Sequence, residues 1–412
     1  MSPTLFQTYP VLKTPDLKYV KSKRITSIDL VRGIVMVLMA LDHVRDYFHT
    51  GYFYGDPTDL ETTTPILFLT RWITHFCAPA FIFLAGTSSF LFGAIQNSKY
   101  ELSKFLFTRG LWLIFIEFTI VNFAWFNNPK YTILLFGVIW VIGLSMIFLA
   151  VFIHFPKYVI LILGLILVFG HNLLDNITAE GTEPAVMLWY LTHQQAMVMV
   201  NNDQTALFFM YPAVPWVGVM MLGYCFGYFY RRDYDAQKRK KWLMVIGLGC
   251  IVLFLVLRLT NIYGEFNPWN MQKNIIYTIM SILNTSKYPP SLLYLLMTLG
   301  PVILLLSFIE NIKNKFSKFM LVFGRVPFFY YILHLYLIHA LAYVGLAIQG
   351  VSLNELILSA ERFGSGYLAD VGFDLWVVYV VWIAVIILLY PVCKKYMYYK
   401  LENKDKWWLS YL

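Results

Sequence analysis

The sequence predicts an all-α membrane protein, a polytopic bundle of about ten transmembrane helices with both termini in the cytosol. Three observations predict this fold class. Of the 412 residues, 59% are hydrophobic and only 13% are charged, and the mean hydropathy is +0.63. Long apolar segments alternate with loops, and lysine and arginine collect in the loops of one side. A soluble chain of this length could not bury so much apolar surface.

Apolar segments long enough to cross a bilayer follow one another along the chain. The predicted helices occupy 27–48, 68–95, 104–125, 133–155, 157–175, the segment YPAVPWVGVMMLGYCFG, 241–262, the segment that starts with KYPPSLLYLLMTLGP, 319–347 and 373–393. The strongest basic cluster lies between Arg231 and Lys241, and the positive-inside rule assigns that side to the cytosol. Pro79 should kink the second helix and free backbone carbonyl groups near its centre.

The predicted organisation is simple. A cytosolic arm covers 1–26, a single transmembrane domain covers 27–393, and a basic cytosolic tail covers 394–412. The arm lacks the features of a cleaved signal peptide, so we expect the first helix to act as a signal anchor. The net charge of +9 lies in short loops, which excludes a nucleic-acid-binding protein. The four cysteines have no metal-type spacing, and we predict no metal site.

The first helix carries ionisable residues inside its apolar segment. They are Asp29, Arg32, Asp42, His43 and Arg45. Arg32 and His43 are eleven residues apart, which is three helical turns plus about 20°, so the two side chains share a face. Asp29 lies within about 60° of both. Ionisable groups in the hydrocarbon region are costly and usually mark function, so this face indicates a substrate path. The alternative is a helix whose charges only pair with buried partners.

Counting residues from the cytosolic ends of the helices predicts two tiers of polar side chains. Arg32 and Arg325 fall in a cationic tier near the cytosol. The outer tier is rich in histidine and contains His43, His75, Lys287, Arg258, Ser291, His334 and His339. Each has a plainer interpretation: a membrane histidine is often a hydrogen-bonded packing residue, and Lys287 could be a solvated loop residue. Glu117 needs a cationic partner, which Arg258 or Arg71 could supply.

Several motifs together resemble a known family. They are SIDLVRGIVMVLMALDH, APAFIFLAG, YPAVPWVGVMMLGY and GRVPFFYYILHLYLIH. They are similar to the heparan-α-glucosaminide N-acetyltransferase-like family, and more closely to its bacterial branch of uncharacterised membrane proteins (domain of unknown function 1624). The spacing Arg32-x10-His43 also resembles a motif of the membrane acyltransferase-3 proteins, which acylate cell-surface sugars. The resemblance covers essentially the whole chain and implies a transmembrane acyltransferase fold.

The resemblance implies transfer of an acyl group, acetyl or another, from cytosolic acyl-CoA to an acceptor across the membrane. Eukaryotic heparan enzymes carry asparagine where this chain has His43, and their catalytic histidine lies in the outer loop before helix two. That loop, 50–70, has no histidine here. The catalytic assignment therefore stays open between His43 and His75, with Asp42 as an orienting group.

The remaining roles follow from the two tiers. The cations expected to hold the CoA phosphates are Arg24, Arg32 and Arg325. The residues expected to contact the acceptor, a carbohydrate or other small molecule, are Asp29, Arg258, Lys287, Ser291, His334 and His339. The expected location is the bacterial inner membrane, in contact with the lipid bilayer, and the sequence is compatible with a homodimer. The rival hypotheses are a proton-coupled transporter and a metal or haem protein with ligands from His43, His75 and His334.

Overall fold

The computed structural model describes residues 25–51, 55–96, 98–201, 204–310, 312–352, 354–403 and 405–410. Most of these residues are helical. The α-helices are α1 Thr26–Phe48, α2 Pro65–Thr74, α3 Cys77–Gln96, α4 Lys99–Ile116, α5 Asn122–Phe126, α6 Val138–Phe152, α7 Lys157–Gly170, α8 Pro184–Thr192, α9 Ala213–Phe226, α10 Ala236–Thr260, α11 Ile275–Leu283, α12 Leu292–Ile309, α13 Lys315–Arg325, α14 Pro327–Ile348 and α15 Leu375–Glu402. The strands are β1 Ile133–Leu135, β2 Ala196–Val200 and β3 Thr205–Phe209.

The described chain contains eight helical segments that are long and apolar enough to cross a membrane. Two further predicted spans are also helices. α1 has 23 residues but carries more charge than an ordinary span, and α6 is an apolar helix of 15 residues. The prediction of an all-α polytopic bundle is therefore confirmed. The orientation across the membrane stays a prediction, and so does the division into arm, domain and tail; α15 continues to Glu402, into the segment predicted as tail.

The second predicted helix is divided into α2 and α3 at His75 and Phe76. Pro79 has no N–H to bond the carbonyl four residues earlier, which belongs to His75. That carbonyl instead accepts a hydrogen bond of 2.8 Å from the hydroxyl of Tyr294 on α12. The predicted kink and the carbonyl that it frees are both present. A second break separates α13 from α14 at Val326, where Pro327 begins the next helix in a position that needs no N–H.

Two of the segments between the predicted helices have structure of their own, and the helix predicted over 133–155 begins instead as a strand, β1, because Ile133–Leu135 pairs with β3. Residues 176–210 contain α8 and the antiparallel pair β2–β3, and β1 joins β3 in parallel to give the order β1-β3-β2. α11 lies in the loop between α10 and α12. These elements cover the ends of the spans on the side away from the basic cluster.

α1 lies in the middle of the bundle and contacts α2, α3, α12, α13, α14 and α15. Glycine allows its closest approach to a neighbour. A Cβ atom at Gly33 would overlap the carbonyl oxygen of Met320 on α13, and one at Gly324 would overlap that of Asp29. This backbone contact fixes the position of α1, and therefore of Arg32, against α13.

Candidate functional site

A cavity of about 760 Å³ lies beside α1. This helix contributes Arg32, Met36, Met39, His43 and Asp46 to the wall, in steps of three or four residues that keep one helical face on the cavity. From Arg32 to Asp46 the helix rises about 21 Å, which is most of the depth of a bilayer core. The polar face that periodicity predicts is thus the face that lines the cavity.

Arg32 and Arg109 line one half of the cavity, the half nearer the basic loops. The Arg32 guanidinium donates to the carbonyl of Leu84, at 2.9 Å, and to the hydroxyl of Ser88, and it lies 3.5 Å from the carboxylate of Asp29. Groups from both α1 and α3 therefore fix the position of this guanidinium. Two cations at this end of the cavity can bind an anionic group. The part of the wall around His43 is charged as well, with Asp42, Arg45, Asp46, Arg71 and Lys287.

His43 lines the cavity eleven residues further along α1. Its Nδ1 lies 2.8 Å from Nε2 of His334 on α14, and the two rings are nearly parallel. The rings of Trp125 and His43 pack edge to face, with 4.8 Å between their centroids. Tyr331 also contacts His43 and lines the cavity. His43 is thus held by an imidazole and aromatic rings, with its Nε2 making no hydrogen bond to the described chain.

Asp42, which the sequence favoured as an orienting group, makes no hydrogen bond to His43 in the described chain; it belongs to an ionic cluster that also lines the cavity. Arg71 on α2 reaches both carboxylate oxygens, at 2.7 and 2.6 Å. Thr74 donates to Oδ1 at 2.9 Å, and an Arg45 nitrogen lies 3.0 Å from the same oxygen. Arg45 also pairs with Asp46. The cluster ties α1 to α2 through Asp42, the residue that precedes His43.

Lys287 reaches the same part of the cavity from the loop between α11 and α12. Its side chain is only 9% exposed, and its ammonium lies 3.9 Å from Asp42. The solvated-loop interpretation is therefore wrong. Arg258 and Ser291 lie outside the cavity wall and hold this loop instead. Arg258 donates to four backbone carbonyls, those of Asn267, Ser281, Ile282 and Asn284, and Ser291 caps α12.

The other predicted site residues take separate positions. His75 lies at the break between α2 and α3 with its ring against Tyr294, away from the cavity wall. The Nδ1 of His339 lies 2.9 Å from the carbonyl oxygen of Ala124, and its ring packs on Tyr343. The Arg325 guanidinium lies 3.9 Å from the sulfur of Met397 and is not part of the cavity wall. Arg24 falls outside the described residues.

Three cavity residues were not singled out from the sequence: Arg109, Trp125 and Tyr331. Arg109 sits in a predicted span, and a count of charges within spans would have found it. The two aromatic residues carry no signal in a chain that is 18% aromatic. Among the described residues, no group of three or more histidine, cysteine, aspartate or glutamate side chains is placed to hold a metal ion.

The fold and the cavity define a class of protein: a polytopic membrane protein with a buried polar site along one central helix. Comparison with protein families then gives the particular family. Residues 24–259, just over half of the chain, match the model described as heparan-alpha-glucosaminide N-acetyltransferase, catalytic, and the chain belongs to this family. It is a multi-pass membrane protein of an acetyltransferase family. No curated protein matches the chain.

The matched region includes Arg32, Asp42, His43 and Arg71. It ends before Lys287, which lines the cavity, and before His334, which contacts His43 from behind, so these two residues come from the part of the chain beyond the match.

Proposed function

We propose that this protein transfers an acyl group, in the first place acetyl, from acyl-CoA on the cytosolic side to a sugar hydroxyl or amine on the outer side of the bacterial inner membrane. One observation carries the proposal: a single cavity connects the cationic half at Arg32 and Arg109 with His43. A donor with an anionic end and a long uncharged arm matches the stretch that runs from these two arginines past Met36 and Met39 to His43. The family match supports the acetyltransferase class.

The donor would bind with its phosphates at the guanidinium groups of Arg32 and Arg109, which form charge-assisted hydrogen bonds with phosphate oxygens. The pantetheine arm would extend beside Met36 and Met39, which line the wall between the two polar regions. Arg32 and His43 are separated by about 16 Å along the helix axis. This arrangement would carry the thioester towards the imidazole.

His43 would act on the acceptor or on the acyl group itself. As a general base, its Nε2 accepts the proton from the acceptor hydroxyl or amine as that group attacks the thioester carbonyl. The C–S bond then breaks, and the departing CoA thiolate takes the proton back from the imidazole. As a nucleophile, the same nitrogen attacks the thioester carbonyl and expels the CoA thiolate; the acceptor then attacks the acyl-imidazole, the C–N bond breaks, and the acceptor's proton passes to the thiolate. Both routes need an unprotonated Nε2 that faces the cavity.

A cavity with charged residues from end to end would also suit a transporter of a small anionic molecule. The two functions predict different products. A transporter moves its substrate unchanged, whereas an acetyltransferase leaves the modified acceptor and free CoA. The haem hypothesis fits the geometry poorly. The nitrogen atoms of two histidines that bind one iron from opposite sides would lie about 4 Å apart, whereas those of His43 and His334 lie 2.8 Å apart.

Proteoliposomes test the proposal. Radiolabelled acetyl-CoA is supplied at the face with the basic loops, and glucosamine is the acceptor probe at the opposite face, with a lipid-linked sugar extract as a second probe. Wild-type protein should transfer the label, and His43→Ala should bind acetyl-CoA but transfer nothing. His171→Ala, which removes a buried histidine outside the cavity wall, is the matched control.

Two results would overturn parts of the proposal. An active His43→Ala beside an inactive His75→Ala would move the catalytic role to the break between α2 and α3. Passage of unlabelled, unmodified probe without any acetyl transfer would favour the transporter.

A further inference from the structure

His334 decides which nitrogen of His43 carries the proton. The two imidazoles share one hydrogen bond, between Nδ1 of His43 and Nε2 of His334 at 2.8 Å. A hydrogen bond between two neutral imidazoles needs a donor nitrogen on one ring and an acceptor nitrogen on the other. Two tautomeric arrangements satisfy that condition. In one of them the Nε2 of His43 carries the hydrogen, and in the other it has a free lone pair.

The second nitrogen of His334 selects between them. Its Nδ1 lies 2.9 Å from the backbone carbonyl oxygen of Tyr330, one turn earlier on α14. A carbonyl can only accept, so Nδ1 of His334 carries the hydrogen. A neutral His334 then has its lone pair at Nε2, and His43 must donate to it from Nδ1. The Nε2 of His43 is left with a free lone pair.

Packing keeps both rings in this arrangement. The ring of Tyr330 lies parallel to that of His334, with 5.0 Å between centroids and 3° between planes. Trp125 also packs against the His43 ring. His334 is fully buried and His43 is 7% exposed, so water does not compete for the shared hydrogen bond. Asp42 is occupied by Arg71 and Thr74 and offers no alternative partner.

We propose that His334 is a positioning residue for catalysis: it holds the proton of His43 on Nδ1, so that Nε2 faces the cavity as base or nucleophile. The inference rests on the proposed function, since it assigns a role within the same reaction. His334 itself touches neither donor nor acceptor, because it lies behind His43 and outside the cavity wall. It acts by fixing the tautomer and the angle of the His43 ring.

Two substitutions at position 334 separate positioning from packing. His334→Gln places an amide oxygen where Nε2 was and can still accept from His43, whereas His334→Leu fills the space but accepts nothing. We expect His334→Leu to lower kcat about 100-fold with little change in the KM for acetyl-CoA, and His334→Gln to recover a large part of the loss. Tyr336→Phe is the matched control. Tyr336 lies on the same helix as His334, and the substitution removes the hydrogen bond that its hydroxyl donates to the carbonyl of Ile120.

A second measurement does not depend on activity. The protein contains eight histidines, so ¹⁵N-histidine labelling in lipid bilayers gives a tractable spectrum, and the signal that disappears in His43→Ala belongs to His43. We expect a proton on Nδ1 of His43 in the wild type and a mixture of tautomers in His334→Leu. A proton on Nε2 of wild-type His43 would overturn the inference.

Equal losses in the Leu and Gln variants, together with a lower Tm in both, would also overturn it by showing a packing role. If the spectrum shows the expected tautomer but no acetyl transfer occurs, the arrangement of the two rings stands while its catalytic use and the proposed function fail. If transfer occurs and both variants keep the wild-type kcat, only the positioning role fails.

Discussion

Arg71 and Asp42 join the broken second span to the central helix: one guanidinium nitrogen lies 2.7 and 2.6 Å from the two carboxylate oxygens. The side chains are 13% and 10% exposed, so the pair is largely removed from solvent. Asp42 also faces Arg45 and Lys287. Asp42 therefore offsets Arg71, Arg45 and Lys287 in the wall beside His43, and Asp46 also pairs with Arg45.

We expect Asp42→Asn to destabilise the protein by about 3 kcal/mol, because it leaves buried cations without their partner. The double variant Asp42→Asn with Arg71→Met should lose less than the sum of the two single variants, since it removes both charges of the pair. Unfolding in detergent, followed by Tm, measures both effects. Full stability of Asp42→Asn with loss of acetyl transfer would instead return Asp42 to the orienting role that the sequence favoured.

The cationic half of the cavity gives a prediction for the donor. Arg32→Gln and Arg109→Gln should each weaken CoA binding about tenfold, because each removes a charge-assisted hydrogen bond to phosphate. Calorimetry with CoA measures the affinity without requiring turnover. Arg231→Gln is a matched control with the same change of charge, since Arg231 pairs with Asp233 in an exposed loop. Unchanged affinity in both cavity variants would mean that these arginines do not bind CoA and serve only helix packing or membrane topology.

Much of the fold could be predicted because membrane spans are governed by hydropathy and length. Periodicity placed Arg32 and His43 on one face of α1, and that face lines the cavity. Chain geometry also predicted the effect of Pro79, since a proline always leaves the carbonyl four residues earlier without its helical partner. These are local properties, and each can be derived from one segment alone.

Partners between distant segments could not be predicted in the same way. Glu117 was expected to pair with Arg258 or Arg71, but its carboxylate accepts from the backbone N–H of Trp140, at 2.8 Å, in the first turn of α6. Arg258 donates to loop carbonyls instead. Backbone groups at helix ends and in loops compete with side chains as partners, and the sequence does not show where they lie. The contact between His43 and His334, 291 residues apart, has the same cause.

The glycine contact between α1 and α13 predicts a position-specific loss of stability. Gly33→Ala or Gly324→Ala should lower the free energy of unfolding by about 1–3 kcal/mol, because the added methyl group meets backbone atoms that can move only with the whole helix. CoA affinity should fall as well, since Arg32 adjoins Gly33. Gly249→Ala on α10, where an added Cβ meets nothing within 4 Å, is the control and should be neutral or stabilising. A harmless substitution at both contact glycines would contradict this packing.

The last prediction follows the path of the donor through the cavity. Cys77 lines the wall, and its thiol lies 3.3 Å from the carbonyl oxygen of Val35, which places it between Arg32 and His43 along α1. The other three cysteines do not belong to the cavity wall. If the pantetheine arm occupies this stretch, CoA at ten times its Kd should slow modification of Cys77 by N-ethylmaleimide about tenfold. Mass spectrometry measures the extent of labelling, with Cys225 as the internal control whose labelling should not change. Calorimetric binding of CoA with no protection of Cys77 would show that the donor binds elsewhere, and the proposed path from Arg32 to His43 would fail.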